Sequence, residues 1–146
     1  MQSFEHNFVL HVPSSTDNLV MIRDFVARVV AKAGFDEKEV MKLALAVDEA
    51  CANVIEHAYG GGAKEGQVRV KMDFDADKVM IEVVDTGKGF DPSQIPVKDV
   101  EQLIRERRSG GLGWRLIRSI MDEVQYQIVP GEKNELKMMK RIHKPS

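Results

Sequence analysis

Cysteine is nearly absent from this chain: Cys51 stands alone among 146 residues. A single thiol rules out an internal disulfide or a multi-cysteine zinc site within one chain, so the fold must be carried by its core. No stretch reaches about 18 consecutive apolar residues, the length of a membrane-spanning helix. Met1 to Leu10 hold no basic segment followed by an apolar run of the kind that exports a protein. These absences predict a cytoplasmic protein without membrane contact. An excess of one charge is missing too: Lys and Arg number 21 and Asp and Glu 23, for a formal net charge of -2, with the basic residues scattered among acidic ones. No positive stripe exists to neutralise a run of phosphates, which argues against direct nucleic-acid binding. Walker A spacing and the His-Glu-x-x-His zinc pattern are also absent, so any nucleotide chemistry must be of another kind.

What remains suits one ordinary core. The chain is 43% hydrophobic and 30% charged, a soluble globular composition, and its length predicts a single domain over 1–146. Phe4, Phe8, Leu10 and Val12 share a parity, which predicts a half-buried strand ended by Pro13, with His6 on its apolar side as a structural histidine. Ser14, Ser15 or Thr16 can cap a helix bearing Leu19, Ile22, Val26, Val29 and Ala33, which Gly34 stops. Asp36 with Glu39 resembles a capping box for a second helix running to about Ala58, its stripe formed by Val40, Leu43, Val47, Cys51, Val54 and Ala58. Alternation at Val68 to Phe74 and at Val79 to Val83, around a turn at Asp75 to Lys78, predicts a hairpin. The polar stretch from Thr86 to Gly110 reads as a lid-like loop with one short helix. A third helix with Leu116, Ile117, Ile120 and Met121 then leads into strands around Val124 to Ile128 and Leu136 to Met138. The predicted fold is α+β: a two-layer α/β sandwich, with a mixed, mainly antiparallel sheet and helices on one face.

Three segments can carry chemistry. Glu49 and Asn53 are four residues apart, so a carboxylate and a carboxamide share one helix face, nearly opposite Val47 and Cys51. Asn suits a magnesium ion already bound to phosphates, and Glu can accept a proton from an attacking hydroxyl; alone, such a pair is usually a solvated face. Asp85 shares the parity of Val79, Ile81 and Val83 and points to the apolar side, where an unpaired carboxylate costs roughly several kcal/mol. It should meet a basic residue or a ligand donor such as the adenine amine, unless it simply starts a turn with Thr86 and Gly87. Gly87 and Gly89 permit a close approach of backbone to a flat ligand. Ser109, Gly110, Gly111, Leu112 and Gly113 precede a helix whose first amides suit a phosphate chain, or else form a flexible hinge.

In this order and spacing the three segments resemble the N, G1 and G2 boxes of the gyrase, Hsp90, histidine kinase and MutL ATPase superfamily, with its Bergerat-type ATP-binding fold. The N box is Glu49-Ala50-Cys51-Ala52-Asn53 with Ile55-Glu56-His57-Ala58-Tyr59, the G1 box Asp85-x-Gly87-x-Gly89-Phe90, and the G2 box Gly110-Gly111-Leu112-Gly113. Within that superfamily the whole chain is most similar to the anti-sigma-factor serine kinases, through Glu56-His57-Ala58-Tyr59 and the run from Arg108 to Trp114 leading into Ile120-Met121-Asp122-Glu123-Val124. Gly110-Gly111 and Trp114 depart from many relatives. The resemblance implies ATP and Mg2+ as cofactors, with Asn53 on the magnesium ion, Asp85 on the adenine amine, and Gly87 and Gly89 shaping the base pocket. It further implies Glu49 as general base and Arg108, Ser109, Gly110, Gly111, Leu112 and Gly113 closing over the phosphates. Implied partners are a sigma factor and an anti-sigma-factor antagonist, engaged by a homodimer. Composition marks no contact surface, and Arg23, read as an exposed base on the first helix, is the residue chosen for one. Three other readings compete: a nucleotide-dependent binding protein without turnover, the ATPase module of a histidine kinase, and a switch kinase acting on a regulatory scaffold.

Overall fold

A computed structural model of the protein describes residues 4–59, 67–85, 112–129 and 133–142. Five strands, β1 (His6–Pro13), β2 (Gln67–Phe74), β3 (Lys78–Asp85), β4 (Glu123–Val129) and β5 (Lys133–Arg141), form one sheet in the order β1-β2-β3-β5-β4. All four pairings are antiparallel. The helices α1 (Leu19–Ala33), α2 (Glu37–Tyr59) and α3 (Leu112–Ile120) make the second layer. The alternating pattern of β3 decides which face they cover. Val79, Ile81 and Val83 are fully buried together with Val68, Val70 and Met72 of β2, Leu136 of β5, Ile22 and Val26 of α1, Leu43 and Val47 of α2, and Ile117 of α3. The opposite face carries charge, with Arg69 and Glu82 paired at 3.1 Å across β2 and β3, and Lys137 beside Glu135 at 3.1 Å on β5.

Local signals set the element ends. Gly34 closes α1 at φ 111 and ψ 8, where its N–H bonds the Ala31 carbonyl at 3.2 Å while the Phe35 N–H bonds Val30 at 3.3 Å. Asp36 caps α2, its Oδ1 accepting the Glu39 N–H at 2.8 Å. The β2–β3 turn is tied by Asp75 Oδ1, which accepts from the N–H groups of Asp77 at 2.8 Å and Lys78 at 3.0 Å. Those bonds, led by that of Asp77, hold the Asp75 carboxyl below its ordinary range. The start of α1 differs from expectation. A 3-10 turn, Thr16–Asn18, precedes it, and of the three hydroxyl residues it is Ser15 whose side chain accepts from Asp17, at 3.2 Å. β1 is an edge strand, so His6 lies exposed and stacks on Phe74 with ring centroids 4.5 Å apart.

Gly34→Ala isolates the backbone term of the α1–α2 turn, because a Cβ there meets no atom within 4 Å. The expected loss, about 1–2 kcal/mol from the left-handed conformation alone, is read as a lowered urea midpoint with an unchanged m-value.

Candidate functional site

Small residues line α2: Ala46, Ala50 and Cys51 are buried in the core it shares with the sheet, and Ala44 and Ala52 are buried beside them. Glu49 sits among them and is half-buried, neither in the core nor free in solvent. The Cys51 thiol is driven above its ordinary range by burial and, secondarily, by the charge of Asp48, so it stays protonated and is a core residue. Asp48 also lies 3.9 Å from Arg23 of α1. Arg23 itself is exposed, as the sequence suggested. The backbone of Asn53 continues α2 beyond Ala52, one helical turn past Glu49; its side chain lies outside the described residues.

Asp85 ends β3 on the helix-facing side and is 2% exposed. Strand register explains the depth, because Asp85 stands opposite Val68 of β2, which in turn stands opposite Val12 of β1. The sequence called for a basic or ligand partner there. The structure supplies a hydroxyl: Ser14, 3% exposed, donates from Oγ to Asp85 Oδ2 at 3.0 Å. Sequence reasoning missed this residue because it counted Ser14 as a helix cap. Its parity with Val12, which places both on the helix side, was the signal available.

Gly87, Gly89, Arg108, Ser109, Gly110 and Gly111 lie outside the described residues, as does the lid-like stretch with Arg105 and Arg107. Leu112 and Gly113 are the first two residues of α3, so their amides belong to the helical turn that lacks internal acceptors and carries the positive end of the helix dipole. Two clefts formed by described residues are not lined by Ser14, Glu49 or Asp85: one of about 360 Å³ with Arg118, Asp122 and Lys137, the other of about 210 Å³ with Glu39, Lys42 and Lys140. Among the described residues no group of three or more His, Cys, Asp and Glu could hold a metal ion, and no helix is long and apolar enough to cross a membrane. What the described geometry offers is a buried, oriented acceptor at the end of β3 beside a helix bearing a half-buried carboxylate. That suits a ligand presenting an amino group and a reaction needing a base.

Residues 12–140 match the model of the histidine kinase-like ATPase domain family. The chain is 34% identical over 135 residues to serine-protein kinase RsbW of Staphylococcus aureus, covering 90% of this chain and 85% of that protein. It is likewise 34% identical over 128 residues to the same protein of strain JH9, with 85% and 80% covered. Among solved structures, the RsbU and RsbW domains of a Mycobacterium tuberculosis protein superpose with a TM-score of 0.65 at 14% identity, which is a likeness of fold. That match covers 93% of this chain and 32% of the other, so this chain spans about a third of that longer one.

A buried, protonated thiol is inert, and Cys51 should react with a disulfide reagent such as DTNB only through opening of the fold. The expected result is one equivalent released at once in denaturant but about a thousandfold or more slower in native protein.

Proposed function

The chain belongs to the histidine kinase-like ATPase family and, within it, to the RsbW serine-protein kinases, and from that premise we propose that it is an anti-sigma factor which phosphorylates its own antagonist with ATP. The protein acts as one domain over 1–146, as a homodimer in the cytoplasm. It alternates between holding a sigma factor and engaging a small antagonist protein, a serine or threonine of which receives the γ-phosphoryl group. A phosphoryl group on a fitted interface adds charge that opposes docking, so the modified antagonist no longer competes and the sigma factor is retained.

The observation that carries this reading is Asp85, a carboxylate buried to 2% and aimed from the end of β3 toward the helix layer. An ionised carboxylate only accepts hydrogen bonds, so it selects a donor, and the exocyclic amine of adenine is one. Gly87 and Gly89 shape the pocket for the base, and Arg108, Ser109, Gly110, Gly111, Leu112 and Gly113 close over the phosphates. Asn53, one turn beyond Glu49, would hold magnesium, which when bound neutralises phosphate charge. Glu49 takes the proton of the attacking hydroxyl as its oxygen bonds the γ-phosphorus, while the bond from that phosphorus to the β–γ bridging oxygen breaks and ADP leaves. The half-buried setting of Glu49 agrees with that role, since a base must be reachable by a protein substrate yet shielded from bulk water. Arg23 marks a partner-facing surface, and within one turn of it Val20 and Met21 are each 56% exposed.

Two substitutions separate binding from transfer. Asp85→Asn puts an amide donor against the adenine amine and should weaken ATP binding about 10- to 100-fold in calorimetry. Glu49→Ala should bind ATP normally while phosphorylation of the antagonist falls about 100- to 10,000-fold. Equal effects of the two on binding contradict the assigned roles; full transfer by Glu49→Ala shows that Glu49 is no base, and no transfer by the native chain leaves a nucleotide-dependent binding protein.

A further inference from the structure

We propose that Ser14 is a positioning residue of the nucleotide site, its hydroxyl orienting the Asp85 carboxylate so that the protein prefers a purine carrying a 6-amino group. The inference rests on the assignment of Asp85 to the base and adds to it the residue that gives the carboxylate its direction.

Ser14 and Asp85 are 71 residues apart in sequence, yet their side chains meet at 3.0 Å with 3% and 2% of their surfaces exposed. The backbone on both sides of Ser14 is independently held. Asn18 Nδ2 donates to the Pro13 carbonyl at 2.8 Å, the Asn18 N–H bonds the Ser15 carbonyl at 3.0 Å, and Ser15 Oγ accepts from Asp17. The hydroxyl therefore stands in place before any ligand arrives. A carboxylate rotates about a broad, roughly two-fold torsion and offers about four acceptor positions. The bond from Ser14 to Oδ2 occupies one position and restrains the plane of the rest. A fixed acceptor favours a donor at purine position 6 and disfavours an oxo group there. The contribution of Ser14 to binding must then depend on the 6-amino group, whereas a purely structural role would affect every nucleotide alike.

Calorimetric titration with ATP and with purine riboside triphosphate, which lacks the 6-amino group, tests this on the native chain and on Ser14→Ala, Ser14→Cys and Ser14→Thr. Ser14→Ala should weaken ATP about tenfold, the lower range for a bond to a charged group, and change purine riboside triphosphate by less than about twofold. Ser14→Thr should restore ATP binding. Ser14→Cys keeps the volume with a weaker donor and should fall between, so it carries the test if the alanine variant does not fold. In kinase assays the KM for ATP should rise while kcat at saturation stays level. Equal weakening of both nucleotides, or undiminished discrimination in Ser14→Ala and Ser14→Cys, overturns the role of Ser14 alone. A native protein that binds the two nucleotides equally overturns the placement of the amine at Asp85, and this inference with it.

Discussion

The close seating of α2 on the sheet is the constraint from which the other relations follow. A helix of 23 residues can lie against strands only as near as its side chains allow, and here the seam is built from Leu43, Ala46, Val47, Ala50 and Cys51, all buried in the core shared with the sheet. The same short side chains let α1 and α3 pack beside it, as their shared core with Val26, Val30 and Ile117 shows. Larger residues along that seam would overpack a core already at crystal-like density. Because the seam faces the core, the face bearing Glu49 is turned partly outward.

Against this apolar background, the end of β3 is the exception. A run of Val79, Ile81 and Val83 passes into Asp85 without a change of parity, so the sheet delivers a carboxylate to the layer that otherwise receives methyl groups. Folding tolerates it because the bond from Ser14 offsets part of the lost hydration. A group that costs stability at a position an apolar side chain could fill is where the proposed contact with the adenine amine is assigned.

Much of the fold was legible because its signals are local. Alternation in Val68 to Phe74 and Val79 to Asp85, the glycine at the end of α1 and the aspartate before α2 each act within a few residues, and the structure places them as read. The helix-side position of Asp85 and the shared helix of Glu49 and Asn53 were legible for the same reason. The partner of Asp85 was not, since a bond between residues 14 and 85 depends on the pairing of β1, β2 and β3 and leaves no periodic trace. The strand order was equally hidden: alternation identifies β5 as a strand but says nothing of which neighbours it takes. The glycine boxes became informative only together, through a resemblance, and most of their residues lie outside the described part.

The placement of β5 has a consequence for how the molecule comes into being. The last of the described strands in sequence lies between β3 and β4, so the hairpin of β2 and β3 presents an unfilled edge until residues 133–141 arrive. Its pairing with β3 joins residues as distant as Lys78 and Arg141, and such long-range closure is slow compared with local turns. On a ribosome, β1 to β3 can assemble early, but β4 has no place in the sheet until β5 emerges. The sheet is therefore completed from its middle, only after β4 has been made, and the exposed edge of β3 is the surface a nascent chain must protect until then.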